Sequence, residues 1–212
     1  TPSARGAAPL FSITAPGLEA GATWVPELRS YRFGAQLATG ISGGKVDVEG
    51  CDPMSCMGYI LPDRVVAPWR AAVGAAYRMA PTAWNQQVAG DFRDERALTV
   101  VADVVVAGSD DDAFGLEAFG EHQLQRTGEH PSFSARGGAE YEWLPGRLRV
   151  RAGSYWEPGR FEGVGGRVHA TFGTEVRVFD FHAWGHRRGR ITVTGDLASR
   201  YQNLSLSVGF WH

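Results

Sequence analysis

The sequence lacks the long apolar runs of a helical membrane protein, and it has little sulfur. Its 212 residues include two cysteines and three methionines. No stretch approaches the roughly 20 consecutive apolar residues that a transmembrane helix needs, so any membrane span would have to be made of strands. An excess of charge is also missing, because the net charge is −2. No basic stripe exceeds the cluster at residues 186–190, which argues against a nucleic-acid-binding protein.

Glycine and tryptophan are abundant instead. Twenty-eight glycines and seven tryptophans in a chain that is 43% hydrophobic are typical of a turn-rich all-β protein. The length suits one domain. We therefore predict a single β-barrel domain over residues 1–212, with a disordered lead-in at 1–9 and a long loop at 42–58.

The clearest pattern in the chain is a hairpin from Phe133 to Trp156 around a Pro-Gly turn at residues 144–147. Apolar or small side chains alternate with charged ones in both arms, and this period of two predicts antiparallel strands with one apolar and one polar face. Arginines and glutamates that face each other suit a wet cavity better than a packed core. The apolar face carries Phe133, Ala135, Ala139, Tyr141, Trp143, Leu148, Val150, Ala152 and Trp156.

The same alternation recurs along the chain and predicts nine strands in all. Every second strand ends before a turn with a short motif, such as Gly21–Trp24, Gly74–Tyr77 and Gly138–Tyr141. These copies would end at one rim, like the aromatic girdle of a barrel. A barrel with both chain ends on one side needs an even strand number, so either Leu10 to Thr14 is a tenth strand or N-terminal strands are missing. The other predicted strands lie at residues 18–24, 31–37, 69–77, 98–106, 168–178, 191–197 and 204–210.

Several of these segments resemble the later strands of the FadL-type outer-membrane transport proteins. The closing strand, residues 203–211, also resembles the terminal strand by which outer-membrane barrels are recognised for assembly. The other segments that carry the resemblance are Leu61-Pro62, Val73-Gly74-Ala75-Ala76-Tyr77, the strand 99–106 with Asp103, and Gly138-Ala139-Glu140-Tyr141 leading into residues 148–155.

The resemblance implies an antiparallel meander transmembrane β-barrel in the bacterial outer membrane, with about 10 strands in this chain or as part of a larger barrel. Members of the family carry long-chain fatty acids or other hydrophobic compounds across that membrane. We therefore expect binding or passage of a hydrophobic small molecule such as a fatty acid, and no enzymatic activity. The expected partners are the lipid bilayer and the barrel-assembly machinery, and residues 42–58 would be an extracellular loop.

Charged side chains on the polar faces are the candidate lining of the lumen. Arginines there could hold a ligand carboxylate by paired hydrogen bonds. The other interpretation is an internal ladder of salt bridges that rigidifies the barrel, and the near balance of six arginines against four acidic residues favours this ladder. The predicted set is Arg70, Arg78, Asp103, Arg136, Glu140, Arg149, Arg151, His169, Glu175, Arg177 and Asp196.

The remaining motifs suggest little chemistry. Cys51 and Cys56 lie in a Gly/Asp/Pro-rich loop, where they could close a small disulfide ring or stay as free thiols. His182 and His186 have no acidic third ligand in their turn, so no metal or other cofactor is predicted. No serine lies in the strand-turn-helix context of a nucleophile, and no catalytic residue is predicted.

Two alternatives to a transport barrel remain open. One is a structural or assembly barrel whose loops bind partner proteins. The other is a soluble β-sandwich binding protein, in which the same alternation faces a core on one side and water on the other. Aromatic residues at the turn ends of the apolar face favour the membrane.

Overall fold

The computed structural model describes residues 14–43, 52, 56, 58–61, 64–88, 90, 92–111, 122–123, 125–126, 128, 130–159 and 165–211. Strands and turns make up this part of the chain, which contains no helix and therefore none long and apolar enough to cross a membrane. The strands are β1 (Glu19–Trp24), β2 (Tyr31–Ala38), β3 (Ile41–Ser42), β4 (Val66–Ala67), β5 (Arg70–Met79), β6 (Leu98–Ala107), β7 (Ser132–Leu144), β8 (Leu148–Glu157), β9 (Arg167–His182), β10 (His186–Ala198) and β11 (Tyr201–Trp211).

Nine strands form one antiparallel meander sheet, in the order β1-β2-β5-β6-β7-β8-β9-β10-β11, and β3 pairs separately with β4. This confirms the nine strands predicted from the alternation. It also confirms that the alternate strands β1, β5, β7 and β9 run in one direction. Within the described ranges β1 and β11 do not pair with each other, so the sheet is open. The predicted tenth strand is not tested, because residues 10–13 lie outside the described residues, as does the lead-in at 1–9.

The connections between strands differ at the two ends of the sheet. At one end, here called the turn end, they are residues 25–30, 80–97, 145–147 and 183–185. At the other, the loop end, they are residues 39–69, 108–131, 158–166 and 199–200. Most of the predicted loop at 42–58 lies outside the described residues, and Ser42 belongs to β3 and pairs with Val66.

The distribution of side chains is the reverse of that in a water-soluble domain. His169 and Glu175 are 1% exposed on the polar face, whereas Leu204 and Val208 are 76% and 78% exposed on the apolar face. No described segment covers the apolar face as a second layer. The buried hydrophobic residues in the described ranges are Cys56, Leu61 and Ala97.

Strand register makes the apolar face continuous from edge to edge. Val73 lies opposite both Ala35 and Val104, and Val193 lies opposite Leu206. Most exposed aromatic side chains lie toward the two ends, and Phe172, which is 49% exposed, lies between them among smaller aliphatic side chains. Those toward the turn end are Trp24, Phe33, Tyr77, Tyr141, Trp143, Phe179, Trp184 and Phe210, and those toward the loop end are Trp69, Phe133 and Trp156.

The sheet curls around its polar face. One cavity of about 460 Å³ is lined by both Arg32 of β2 and Arg177 of β9. These strands are five positions apart in the sheet, which is roughly 24 Å if the sheet were flat. Both side chains reach one cavity of this size because the strands curve toward each other.

The predicted disulfide stays a prediction, since Cys51 lies outside the described residues. Cys56 is fully buried. Its backbone exchanges two hydrogen bonds with Tyr59, at 2.8 and 2.9 Å. This local pairing fixes the position of one partner of the predicted bond.

Candidate functional site

The polar face is the candidate site, and charge is distributed unevenly over it. The strands β7 to β10 carry most of the ion pairs, while β1, β2, β5 and β6 carry many small side chains. We call the first part the charged half and the second the small-residue half. Both halves leave space over the polar face: the charged half borders a cavity of about 660 Å³ beside its ion pairs, and the small-residue half borders a larger groove.

Six side chains of the charged half form a closed ring of alternating charge. Each arginine contacts two glutamates and each glutamate contacts two arginines. The ring consists of Glu140–Arg149 at 3.1 Å, Arg149–Glu142 at 2.8 Å, Glu142–Arg177 at 3.1 Å, Arg177–Glu175 at 3.1 Å, Glu175–Arg151 at 3.0 Å and Arg151–Glu140 at 2.6 Å.

The alternation of the strands explains why this ring forms. Adjacent strands place their polar positions side by side, so that Arg149 lies opposite both Glu142 and Glu175. The ring is most buried where Glu142, Glu175 and Arg177 meet, at 5%, 1% and 4% exposure. Buried charges of this kind are tolerated when each is matched by opposite charge and hydrogen bonds.

The ring also holds a turn in place. Glu142 accepts a hydrogen bond from the backbone N–H of Gly146 at 2.9 Å. Gly146 has a φ of 71°, a left-handed conformation that glycine adopts readily. The carboxylate therefore connects the β7–β8 turn to Arg177 of β9, and a fourth arginine, Arg190 of β10, lies 3.6 Å from Glu175.

A second cluster surrounds His169 near the loop end. Its Nδ1 lies 2.8 Å from Asp196 and its Nε2 lies 3.0 Å from Glu157. The phenol of Tyr155 donates to Asp196 at 2.8 Å and its ring stacks on the imidazole at 4.2 Å. Arg167 pairs with Glu157 at 2.6 Å. The buried imidazole thus links β8, β9 and β10 through two carboxylates.

A third cluster lies at the turn end, around Arg188 of β10. Its guanidinium contacts both carboxylate oxygens of Asp94, at 2.7 and 3.0 Å, and Asp180 at 2.8 Å. It also donates to the carbonyl of Gly146 at 3.1 Å and lies over the ring of Phe92 at 4.1 Å. The polar face at this end is therefore crossed by a segment that precedes β6.

The small-residue half has exposed and looser ion pairs. Arg70 and Glu19 are 3.6 Å apart, and Arg136 and Asp103 are 3.5 Å apart, with every one of these side chains more than 40% exposed. A groove of about 790 Å³ lies over this half. Its floor includes Gly21, Gly34, Ala72, Gly74, Ala76 and Val101.

The predicted lining residues therefore fall into separate groups. Glu140, Arg149, Arg151, Glu175 and Arg177 meet in the ring, while His169 and Asp196 meet in the second cluster. Arg70 lies apart from both, Asp103 of β6 pairs with Arg136 directly opposite it on β7, and Arg78 pairs with Glu95 at 3.1 Å. The structure adds Glu142, Tyr155, Glu157, Arg188 and Arg190, all on polar faces of strands, and Asp94 from a connection.

No group of three metal-binding side chains converges within the described part of the chain. His182 and His186 stack on each other, with ring centroids 4.7 Å apart. Comparisons of the sequence and structure with family models, curated proteins and solved structures find no match, so the FadL-type resemblance stays a prediction.

Proposed function

We propose that this chain forms the wall of a bacterial outer-membrane β-barrel that binds or passes a hydrophobic small molecule. The observation that carries the proposal is the reversed burial: charged side chains inside, large apolar side chains outside. Lipid tails can cover such an apolar face, and the meander leaves backbone hydrogen bonds satisfied between neighbouring strands.

The aromatic residues support the same proposal. Most of them lie toward the two ends of the exposed face, as in the girdles of transmembrane barrels, where the rings sit at the headgroup level. The short connections are mostly at one end and the long ones at the other, which is the pattern of periplasmic turns and extracellular loops. Residues 42–58 would then be extracellular, and β11 would be the strand presented to the barrel-assembly machinery.

The small-residue half supports passage or binding. The groove of about 790 Å³ there falls within the usual size range for small-molecule sites. Glycine, alanine and valine form its floor, and charged side chains, among them Arg32, Arg70 and Arg136, also line it, which suits an amphipathic ligand such as a fatty acid. A ligand such as a fatty acid would lie along this half, because its groove is larger than the cavity of about 660 Å³ beside the ring.

The first experiment tests whether the chain makes a barrel. The 212-residue chain would be refolded in detergent, and its gel migration compared with and without boiling. We expect a heat-dependent shift. A chain that stays soluble and monomeric without detergent would contradict the proposal, because the exposed apolar face would then be stable in water.

The second experiment tests the groove. We expect the refolded chain to bind a fluorescent long-chain fatty acid, and Ala72→Trp to weaken this binding because Ala72 is on the groove floor. Ala71→Trp is the matched control, since Ala71 lies on the apolar face opposite Val106. Equal binding by both variants would argue against the groove as the site.

A structural barrel whose loops bind partner proteins is the second candidate function. The ring favours it, because six paired side chains cross-link three strands. The same assays separate the two functions: a heat-modifiable barrel that binds no fatty acid and passes no small solute supports the structural function.

A further inference from the structure

We propose that residues 80–88 and 92–97, here called the strap, gate the turn end of the barrel and are held shut by the Asp94–Arg188 ion pair. The inference rests on the proposed barrel and on the described residues 80–88, 90 and 92–97. The barrel fold alone does not specify which connection controls passage, whereas the contacts of the strap do.

The strap is anchored at its beginning to β2. Asn85 donates to the carbonyls of Pro26 and Tyr31 at 2.8 and 3.0 Å. Arg32 donates to Asn85 at 2.8 Å and lies over the ring of Trp84 at 3.9 Å. These contacts fix residues 84–85 against the first strands of the sheet.

The strap then reaches the far side of the polar face. Glu95 contacts Arg78 of β5 at 3.1 Å. The carbonyl of Ala97 accepts a hydrogen bond from the backbone N–H of Glu142 in β7 at 2.9 Å, and Asp94 contacts Arg188 of β10. From β2 to β10 is six strand spacings, roughly 29 Å on a flat sheet. A segment that touches both strands therefore lies across the opening at this end.

The contact with Arg188 is the part of the strap that could be released alone. The strap is joined to β5 and β6 by the chain itself, and Asn85 adds four hydrogen bonds to β2 and to the connection before it. At β10 the charged attachment is the guanidinium of Arg188, which contacts Asp94 and Phe92, and the ring of Phe92 also packs edge-on against His186 at 4.8 Å. Loss of the Arg188 contacts would leave residues 92–94 held at β10 by this ring pair while the attachments to β2 and β5 remain, which would loosen the strap on the β10 side.

The decisive experiment is limited trypsin digestion of the detergent-refolded full chain, with cleavage after Arg93 and Arg96 followed by mass spectrometry. Arg188→Met removes the contact without changing the sequence around either cleavage site. We expect about ten-fold faster cleavage there, since loss of a charged hydrogen-bonded pair raises local opening by at least that factor. Arg190→Met is the matched control, because Arg190 is on the same strand and contacts Glu175 instead.

The digestion distinguishes the two proposals. Equal cleavage of the strap in the wild type and both variants, with the strands protected, would overturn the gate and leave the barrel standing. Rapid cleavage after strand arginines such as Arg136 and Arg149 in the wild type would overturn both. Loss of the heat-dependent gel shift in Arg188→Met alone would show a role in folding instead of gating, and would also overturn the gate.

Bilayer conductance gives a second readout with a milder substitution. We expect Asp94→Asn to increase the conductance or the open time of the inserted barrel. Asp180→Asn is its control, since Asp180 contacts the same arginine at 2.8 Å but belongs to β9 and not to the strap. Conductance unchanged by Asp94→Asn, or raised equally by both variants, would overturn the gate.

Discussion

Substitution of Glu175 by glutamine tests the ring most directly. The carboxylate is 1% exposed and contacts Arg177 at 3.1 Å, Arg151 at 3.0 Å and Arg190 at 3.6 Å. Glutamine keeps the shape and removes the charge. Arg151 and Arg190 are about one-third exposed and can turn toward water, whereas Arg177 is 4% exposed and cannot.

We therefore expect Glu175→Gln to lower the free energy of unfolding by about 2 kcal/mol, because Arg177 loses one of its two buried carboxylate partners and keeps Glu142 at 3.1 Å. The assay is denaturant unfolding in detergent micelles, followed by tryptophan emission. Glu19→Gln is the control, because Glu19 and Arg70 are both more than half exposed and such pairs contribute at most about 1 kcal/mol. Equal losses in the two variants would refute the reasoning.

A double variant tests whether the ring acts as one network. In a network, Arg177→Gln should cost less in the Glu175→Gln background than in the wild type, because the charge it balanced is already gone. Additive losses would mean that the two side chains contribute independently. The ring would then be a set of separate pairs.

The remaining predictions concern the apolar face and the second cluster. Val193→Arg should block assembly in lipid vesicles, read as loss of the heat-dependent gel shift, because arginine at the bilayer midplane costs about 2–4 kcal/mol. Ser205→Arg, on the opposite face of β11, should assemble, and equal assembly of both would contradict the assignment of faces. His169→Phe should lower the melting temperature in detergent, because Asp196 and Glu157 lose a shared partner inside the barrel; an unchanged temperature would mean that the imidazole does not hold the strands together.

The strands and their faces were predictable because the alternation has a period of two over long stretches. Tyr141 and Trp143 on one face and Glu140 and Glu142 on the other could be assigned from the sequence, and the register confirms the assignment. The motif copies on alternate strands also predicted correctly that these strands finish at the same end of the sheet. These features depend on local sequence, where side-chain direction follows from strand geometry.

The partners of the charged side chains were not predictable in the same way. The sequence shows that Arg149, Arg151 and Arg177 face inward, but which glutamate each contacts depends on register and on rotamers. Contacts with connections were missed altogether, since nothing in the strand pattern brings Asp94 to Arg188.

A bulge in β9 further limits what alternation can predict. Arg177 pairs with Arg190, and Phe179 pairs with Gly189, so Val178 is an extra residue without an opposite partner. Such a bulge shifts the parity of every later position in the strand. For this reason Asp180 reaches Arg188 on the polar face although its spacing from Arg177 would place it among the apolar residues.

The directions of the two edge strands limit the ways in which the sheet can close into a barrel. With nine meander strands, β1 and β11 run in the same direction, so direct pairing of these two edges would be parallel. Pairing β11 with β1 of a second copy in the same orientation would also be parallel. An all-antiparallel barrel therefore requires an odd number of additional strands between β11 and the next β1, whichever chain supplies them. The strands of this sheet, alone or in co-oriented copies, can close only with a parallel seam, and any barrel without one must include further strands.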